Sequence, residues 1–309
     1  MRSGPLAARW HCSGQALIVT LVVLAFITSV MSALSLSLLL DVKAAERHNR
    51  RVQAYYLARS GAEVAMHELL RDDPSVDALA DPWCRDGSTP MKANLGDGEF
   101  HVDAVSEVTG KGRAGIVDEE RKLNINKADP AMLRNLHPAM TTEIVQAIVA
   151  RRSQRPFECL GELAALPETP KGFLTLPRKD APAGLESLLT VHGEGKINVN
   201  TAPLAVLRSV ESIGPERAGK LIGLRNGEDG EPGTEDDRPF ATVREIQQRL
   251  EMDGAPFAGA RPWVAVTSRH FTIVATGSVP GKRPTVRRVR QVVRRDNEGI
   301  RVERFEQVR

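Results

Sequence analysis

The 309-residue chain is poor in the residues that reactive and metal-binding sites use. It has three cysteines and seven histidines, and no two histidines lie at a spacing typical of a transition-metal pair. No P-loop, G-x-S-x-G or dinucleotide-binding glycine motif occurs. These absences exclude the common routes to catalysis, and we predict that the protein is not an enzyme.

Net charge and aromatic residues are also low. The 42 basic and 39 acidic residues leave a net charge of +3, and aromatic residues make up 4% of the chain. A nearly neutral chain does not by itself indicate a nucleic-acid partner. Cys84 and Cys159 either form a disulfide bond or stay free, because sequence alone does not place them close together.

Proline is absent between Pro5 and Pro74, so no residue there has to interrupt a helix. Beyond residue 40, apolar residues recur at nearly helical spacings with charged residues between them, which predicts an amphipathic helix over 41–73. These residues are Val42, Ala45, Val52, Tyr56, Ala62, Ala65 and Leu69. We expect Tyr55 and Tyr56 to pack against the domain that follows.

An uncharged run from Gln15 to Leu40 precedes this helix. It is longer than the apolar core of a secretory signal and long enough to span a membrane. Arg2 and Arg9 precede it without an acidic neighbour, which places the N-terminus in the cytoplasm. We predict a single span over 15–40 that continues directly into the amphipathic helix.

Strand patterns occur once early and three times late in the chain. Phe100, Val102 and Ala104 alternate with polar residues, and strand-like segments return at 271–279, 284–295 and 299–308. About 160 residues with helical patterns separate the early strand from the late ones. We predict an α+β fold in which 74–117 and 266–309 form one sheet domain, interrupted by a helical insertion at 118–265. Two independent domains in series are the alternative.

The insertion contains an internal repeat, with copies at about 122–166 and 196–250. The segment KLNINKADPAMLRNL begins at Lys122 and matches KINVNTAPLAVLRSV, which begins at Lys196. Each copy continues through a helical segment to an R-P-F triplet that ends at Phe157 or Phe240. The second copy has 9 more residues before that triplet, and they lie in an acidic loop.

Paired asparagines open both copies of the repeat, at Asn124 and Asn126 and again at Asn198 and Asn200. They alternate with apolar residues, so we predict that their amides bridge backbone groups of neighbouring helices. Asp129 and Thr201 precede Pro130 and Pro203, and we expect each of them to cap the helix that follows. We interpret Glu162 and Glu245, at matching places in the two copies, as surface or capping residues.

The acidic loop at 226–240 differs from an ordinary charged surface segment because glycine and proline separate its carboxylates. Glycines allow a chain to fold around Ca²⁺, which takes six to eight oxygen ligands in flexible geometry. The predicted ligands are Asp229, Glu231, Glu235, Asp236 and Asp237. A plain surface loop is the alternative, because the spacing is not that of an EF-hand.

The last 28 residues are basic, with ten lysines or arginines against four acids. This segment is either a nucleic-acid footprint or a strand with a solvated face that protects a sheet edge. Valines are interleaved with the charges and aromatic stacking partners are nearly absent. We therefore predict a strand.

The N-terminal segment resembles the class III leader of type IV pilins and type II secretion pseudopilins. In that group prepilin peptidase cuts after a glycine directly before the hydrophobic helix, which corresponds here to the Gly14–Gln15 bond. Most members have Glu at the fifth mature residue, whereas this chain has Val19. That departure, the segment YYLARSGAE and the doubled K-x-N-x-N openings resemble the minor pseudopilin K family.

The repeats also resemble the helix-hairpin-helix modules of competence-type DNA receptors, and a membrane-anchored DNA-binding protein is the alternative function. In those modules a glycine-rich hairpin presents backbone N–H groups to a phosphate. Here the first hairpin has no glycine and the second has only Gly214, while Glu143, Glu211 and Glu216 lie at the hairpins. We therefore expect no nucleic-acid partner.

The resemblance to pseudopilin K implies a pilin-like helix packed on a small antiparallel sheet, with an inserted all-α domain. It also implies a minor pseudopilin at the tip of a periplasmic pseudopilus, where it helps to initiate assembly. The implied partners are the I and J minor pseudopilins, prepilin peptidase and the inner-membrane secretion platform. The implied location is the bacterial inner membrane, with most of the chain in the periplasm, and calcium binding in the helical domain is a further implication.

Overall fold

A computed structural model describes residues 12–84, 91–105, 112–114, 116–175 and 184–308. The chain divides into two compact units, of which the first ends at Val52 and the second runs from Gln53 to Arg309. In the first unit, apolar side chains of helix α1 (Cys12–Arg71) are exposed from Leu17 to Val42. The helical segment Gln15–Arg71 is long and apolar enough to span a membrane, judged by length and composition. This finding agrees with the predicted single-pass anchor.

In the second unit, the C-terminal part of α1 packs on a sheet through small residues. Ala58, Ala62, Ala65 and Leu69 are buried there. Gly277 allows the close approach, because a Cβ atom at that position would lie 2.1 Å from the carbonyl oxygen of Ala54. The helix therefore lies against the sheet with backbone close to backbone.

The expected packing of the two tyrosines is only half right. Tyr55 packs against the core between helix and sheet, whereas Tyr56 is 58% exposed. The two rings make an edge-to-face contact at 5.4 Å. Successive helical residues point about 100° apart, so one buried stripe on α1 does not accommodate both rings.

The sheet is antiparallel and combines early and late strands. The strand bounds are β1 Lys92–Leu95, β2 Gly98–Val105, β3 Gly112–Ala114, β4 Val117–Asp118, β9 His270–Val279, β10 Thr285–Asp296 and β11 Gly299–Val308. The main order is β1-β2-β9-β10-β11, with β3 beside β2 and β4 beside β9. The predicted strands correspond to β2, β9, β10 and β11, which confirms the α+β fold class.

Pairing of β2 with β9 encloses the helical segment. Glu99 lies opposite Ser278 and Asp103 lies opposite Val274, so the early strand is hydrogen-bonded to a late one. Between β4 and β9 lie α2 Pro130–Leu136, α3 Thr142–Gln154, α4 Leu160–Ala164, α5 Leu204–Ser209, α6 Gly214–Arg225, α7 Val243–Arg249 and α8 Ala255–Ala260. The helices are thus inserted into the sheet topology.

Two short parallel strand pairs stabilise the insertion. The pair β5 (Leu123–Asn124) and β6 (Leu189–Thr190) belongs to the start of the first repeat. The pair β7 (Ile197–Asn198) and β8 (Val264–Ala265) belongs to the start of the second. The insertion has its own hydrophobic core, distinct from the core between α1 and the sheet.

Candidate metal-binding loop and repeat scaffold

The second asparagine of each repeat bridges the backbone of the R-P-F segment. Asn126 donates to the carbonyl of Phe157 at 3.0 Å and accepts from its N–H at 2.8 Å. Asn200 makes the same two bonds to Phe240, at 3.0 and 2.8 Å. An amide suits this position because it donates and accepts through adjacent atoms. The geometry agrees with the scaffold interpretation.

One arginine in each repeat fastens the opening segment to the second helix after it, α3 or α6. Arg152 donates to two carbonyl oxygens at 2.8 Å, and Arg225 does so at 2.7 Å. The acceptors are Ile125 and Ala128 in the first copy, and Val199 and Ala202 in the second. Sequence reasoning missed these arginines, although both lie near the ends of helical segments at matching places.

Glu162 and Glu245 are capping residues, as predicted. Glu162 accepts from the N–H of Glu158 at 2.9 Å, and Glu245 accepts from the N–H of Ala241 at 2.8 Å. Each therefore satisfies a backbone donor four residues earlier, just before its helix begins. These bonds supply a structural role for both carboxylates.

The helix caps expected at Asp129 and Thr201 differ in outcome. Asp129 accepts from the N–H of Ala131 at 2.9 Å and caps α2. Helix α5 has no side-chain cap, because its N-cap residue is Pro203; the Thr201 hydroxyl, two residues earlier, donates to Asp118 at 2.5 Å. The prediction for Thr201 was wrong, since the helix begins at Leu204 and Thr201 lies two residues before its N-cap.

Asp118 is the centre of a buried polar cluster that joins the second repeat to the sheet. Its carboxylate accepts from Thr201, from Ser268 at 2.7 Å and from Asn198 at 3.3 Å. Asn198 also donates to the carbonyl of Asp77 at 3.0 Å. Burial, followed by the nearby charge of Glu120, raises the pKa of Asp118 to about 7. We call these five residues, Asp77, Asp118, Asn198, Thr201 and Ser268, the junction cluster.

Arg295 balances a group of carboxylates beside the junction cluster. It lies 2.5 Å from Asp77 and 3.2 Å from Asp72. Burial raises the pKa of Asp77 to about 7 and that of Asp72 to about 6 despite this contact. Among the described residues, Asp72, Asp77 and Asp81 are the group whose ligand atoms lie within 4.8 Å of one another. The arginine already provides a counter-charge for this group.

Glu119 lies on the other side of the same segment and is held as an anion. It accepts from Lys122 at 2.6 Å, Thr190 at 2.6 Å and Thr272 at 2.7 Å. Burial alone would raise its pKa, but the charge of Lys122 and these hydrogen bonds lower it to about 2. Its neighbour Glu120 contacts His270 at 2.8 Å. Sequence analysis singled out none of these groups.

The acidic loop is folded around Asp236. One carboxylate oxygen accepts from the N–H groups of Glu228 at 2.6 Å and Asp229 at 3.1 Å, and the other accepts from the Thr234 hydroxyl at 2.7 Å. Hydrogen bonds from Thr234 and from this backbone lower the pKa of Asp236 to about 2. Gly227, at φ +71°, permits the contact, because a Cβ atom there would lie 2.3 Å from Asp236 Oδ2.

The other predicted ligands occupy different parts of this loop. Asp237 accepts from the N–H of Gly233 at 2.7 Å, and burial raises its pKa. Asp229 accepts from the N–H of Glu231 at 2.7 Å. Within the described chain, no three side chains of this loop place ligand atoms within 4.8 Å of one another. Glu231 and Glu235 belong to the same loop, which carries carboxylates in a glycine-rich turn and is compatible with a hard cation.

The predicted processing residues lie at the start of α1. The helix begins at Cys12, so the Gly14–Gln15 bond is inside it, and Val19 is an exposed residue of the next turn. The apolar run begins directly after this bond.

In the DNA-binding alternative, the hairpins of the two repeats would be the segments that bind phosphate. The first joins α2 to α3 through residues 137–141, and the second joins α5 to α6 through 210–213. Thr141 caps α3 through its side chain, whereas α6 begins at Gly214 without a side-chain cap. The two hairpins therefore do not present equivalent phosphate sites.

Comparison with known proteins adds a family and a fold. Residues 197–267, which contain the second repeat, match the family model described as Type II secretion system (T2SS), protein K. No match was found among curated proteins. A chain in the crystal structure of the GspK-GspI-GspJ complex from the enterotoxigenic Escherichia coli type 2 secretion system has a similar fold. The TM-score is 0.60 at 13% identity, over 87% of this chain and 99% of that chain.

Family match and fold support a type II secretion minor pseudopilin K. The predicted resemblance is thereby confirmed. Protein K is a structural component of a secretion system and not a member of a known enzyme class. The apolar N-terminal helix agrees with a single-pass anchor of such a pseudopilin.

Proposed function

We propose that this chain occupies the tip of a periplasmic pseudopilus, together with I-type and J-type minor pseudopilins, and helps to initiate its assembly. The observation that carries the proposal is the fold match. It covers 87% of the chain, so it extends through the helical insertion, which makes up nearly half of the sequence. The similar chain belongs to a complex of GspK with GspI and GspJ.

Two features of the chain support a terminal position. A helical domain inserted beside a pilin-like sheet obstructs the stacking of identical subunits, and such an obstruction is tolerable at the end of a fibre. Val19 replaces the Glu that most of the pilin group has at this position. If that carboxylate engages the N-terminal amine of an adjacent subunit, a terminal subunit has no need for it.

We further propose that the chain crosses the inner membrane once, with its N-terminus in the cytoplasm. Arg2 and Arg9 support this orientation through the positive-inside rule. The proposal includes cleavage by prepilin peptidase between Gly14 and Gln15, which keeps the whole apolar helix. Mass spectrometry should then find a mature chain that begins at Gln15. A mature chain that begins after residue 30 would instead indicate ordinary signal peptidase.

The proposal also includes calcium binding by the acidic loop of the second repeat. Five carboxylates repel one another without a cation, and a divalent ion offsets that repulsion. Asp229, Glu231 and Glu235 carry side chains on the solvent side of the turn. Asp236 and Asp237 lie directly before the R-P-F segment and hold the turn by accepting from the backbone N–H groups of Glu228 and Gly233.

Co-purification tests the proposed assembly. The tagged full chain, extracted in detergent after expression with I-type and J-type pseudopilins, should retain both of them at fixed stoichiometry. A matched chain that lacks residues 118–265 serves as a control for contacts made by the helix alone. Retention on a DNA column at physiological salt, with no pseudopilin bound, would support the DNA-receptor alternative instead.

A further inference from the structure

A buried histidine at the start of β9 lies between two carboxylates from other parts of the chain. The Nδ1 atom of His270 is 2.8 Å from Oε1 of Glu120, and its Nε2 atom is 3.6 Å from Oε2 of Glu303. The histidine side chain is 10% exposed. Glu120 lies between β4 and β5, in the segment that leads into the first repeat, whereas Glu303 belongs to β11. The imidazole therefore connects three separate parts of the sequence.

A β-bulge brings Glu303 to the histidine. The pairing of β10 with β11 shifts between Val292 and Val293, and Glu303 is the extra residue of β11 at that shift. A bulge changes the direction in which a side chain leaves its strand. The carboxylate of Glu303 thereby reaches across β10 to His270 on β9. The contact joins the edge strand of the main sheet order to a strand that is not its direct neighbour.

Glu120 determines which ring nitrogen of His270 titrates. One of its oxygens accepts from the backbone N–H of His270 at 2.9 Å, and the other lies beside Nδ1. An ionised carboxylate only accepts hydrogen bonds, so Nδ1 carries a hydrogen in both the neutral and the charged ring. The proton that is gained and lost is therefore the one on Nε2, which faces Glu303. Without that proton, a lone pair of Nε2 faces the carboxylate.

The charges around the ring favour its protonated form. Burial lowers the pKa of His270, but contact with Glu120 and the charge of Glu303 raise it above the ordinary value of 6.5. Arg294, which lies opposite His270 on β10, acts in the other direction. The net direction is upward, so the two carboxylates outweigh both burial and the arginine.

A second histidine lies nearby but titrates in the opposite sense. Burial lowers the pKa of His192, and the charge of His270 lowers it further. His192 is therefore neutral where His270 is charged. Charged residues on the adjoining elements are paired with one another: Lys122 with Glu119, Arg301 with Glu298, and Arg269 with Glu194.

We propose that His270 is a pH-dependent clamp on the edge strand β11. With a proton on Nε2, the ring joins Glu303 to Glu120 and ties the centre of β11 to the segment before the first repeat. Without that proton, Glu303 is released to solvent, and β11 stays attached through β10 and through the bond from Arg304 to the carbonyl of Glu158 at 2.9 Å. The edge of the sheet is thus held more firmly at low pH than at high pH. The proposal does not depend on the pseudopilus role, because all its groups belong to this chain.

Nitrogen-15 NMR of the full chain in detergent micelles, labelled in its histidines, tests which nitrogen titrates. The variant His270→Gln identifies the signals of His270 by their loss. We expect Nε2 to lose its proton between about pH 6 and pH 9, while Nδ1 stays protonated throughout. Loss of the proton from Nδ1 in this range would overturn the proposal.

Matched variants separate the contact with Glu303 from the general charge of β11. Glu303→Gln removes the carboxylate that faces Nε2, and Glu306→Gln makes the same change on the same strand, where the side chain pairs with Arg304 instead. Both glutamate side chains are 36% exposed. We expect Glu303→Gln to lower the pKa of His270 by about 0.5 and Glu306→Gln to change it by less than about 0.1. Equal changes in the two variants would contradict the clamp.

Hydrogen exchange of residues 299–308, corrected for its intrinsic pH dependence, tests the effect on the strand. A histidine whose pKa is raised by folding contributes stability below its ordinary pKa and loses it as pH rises through the folded value. Between about pH 6 and pH 9, protection should fall about threefold more in the parent than in the Glu303→Gln chain, the factor that a pKa change of about 0.5 implies. The Glu306→Gln chain should behave like the parent. The same pH dependence in all three chains would overturn the proposal.

Discussion

In each repeat of the insertion, an arginine lies over the buried phenylalanine of the R-P-F segment. The two arginines belong to different helices of the repeat. In the first, Arg151 of α3 lies 5.3 Å from the Phe157 ring and 2.5 Å from Glu162. In the second, Arg249 of α7 lies 4.3 Å from the Phe240 ring and 3.3 Å from Glu245. The contact is the same although the arginines occupy unrelated positions in the repeat.

Both arginines also donate to equivalent carbonyl groups. Arg151 donates to Arg155 at 2.6 Å, and Arg249 donates to Arg238 at 3.1 Å. A cation placed over an aromatic ring and beside a carboxylate is favourable from either direction of approach. The difference teaches that the repeat preserves a physical contact and not a sequence position.

The repeats differ more in their attachment to the sheet. Asn124 donates to the loop carbonyls of His192 and Gly193. Asn198, at the matching position, donates to Asp77, Asp118 and Ser268 in the junction cluster. Asn198 of the second repeat therefore supports the connection to the sheet, while the matching Asn124 of the first repeat bonds within the insertion.

The largest effect should come from breaking this attachment. Asn198→Ala removes a buried donor to the Asp77 carbonyl, the Asp118 carboxylate and the Ser268 hydroxyl, and we expect the free energy of unfolding to fall by about 3 kcal/mol. Asn124→Ala, which affects a less buried site, should lower it by about 1.5 kcal/mol. Urea unfolding of the full chain in detergent micelles measures both. Equal losses would contradict the asymmetry between the repeats.

A second comparison concerns the arginines that bind the opening segments. Arg225 is 6% exposed, whereas Arg152 is half-buried. We expect Arg225→Ala to lower the free energy of unfolding by about 2.5 kcal/mol and Arg152→Ala by about 1.5 kcal/mol, because water can replace the half-buried Arg152 as a donor more easily than the buried Arg225. The same urea titration serves here, with Arg217→Ala on the exposed face of α6 as the control. A larger loss for Arg152→Ala would reverse the proposed order.

The dependence of stability on pH should also localise to the junction cluster. Burial raises the pKa of Asp77 and Asp118 to about 7 from an ordinary value of 3.8. A carboxyl that holds its proton more tightly when folded contributes stability below its ordinary pKa and loses it as pH rises through the folded pKa. We therefore expect the free energy of unfolding to fall between about pH 4 and pH 7.

Urea midpoints across that range, with Asp118→Asn as the comparison, measure this dependence. The variant has one titrating group fewer in the junction cluster, so its slope should be shallower. Hydrogen exchange, corrected for its intrinsic pH dependence, should show loss of protection first near Asn198 and Thr201. A stability that rises with pH would show that these carboxyls are ionised in the folded protein throughout.

Calcium binding by the acidic loop should have a smaller effect on stability, and the first repeat has no such loop. Saturating calcium should raise the melting temperature of the full chain by about 5 °C, because it binds the folded loop in preference to the unfolded chain. Asp236→Ala plus Asp237→Ala should abolish the shift. Glu143→Ala plus Glu158→Ala, an equal charge change in the first repeat, should leave it unchanged. Identical melting of the parent chain in calcium and in chelator would leave the loop as a solvated insertion.

The smallest effect should come from the capping glutamates. Glu162→Gln and Glu245→Gln keep the cap to the preceding backbone N–H but remove an ion pair. We expect each to lower the free energy of unfolding by about 0.5 kcal/mol, as for other partly exposed ion pairs. The two losses should match within error, since Arg151 and Arg249 reach equivalent positions. A loss above about 2 kcal/mol in one repeat would argue against that equivalence.

Local patterns in the sequence predicted the long helix, the four main strands and the role of the asparagines. These features depend on residue alternation and on spacing within a short segment. The junction cluster was not predictable in this way, because Asp77, Asp118 and Ser268 are separated by 41 and 150 residues along the chain. Thr201 shows the same limit, since its partner is a carboxylate that no local pattern places nearby.

The sequence indicated the acidic, glycine-rich loop at 226–240 but not the hydrogen bonds that shape it. Glycines and carboxylates identify a segment that can turn around a cation. Which carboxylate oxygens are left to face a cation depends on backbone hydrogen bonds such as those that Asp236 accepts from Glu228 and Asp229. These bonds are set by the conformation of Gly227 and by the neighbouring helices, and composition does not specify them.

Pairing of β2 with β9 has a consequence for the order in which the chain folds. The two strands are separated by more than 160 residues, and bringing the ends of such a loop together as a random coil costs entropy that grows with the logarithm of its length. If the insertion folds first, the contact between Asp118 and Ser268 already holds those ends together. Without this contact, the edges of the early strands would stay unpaired until the last residues emerge from the ribosome or cross the membrane. The folded helical domain would thus hold β2 close to β9, so that the sheet can form late at a lower cost in loop-closure entropy.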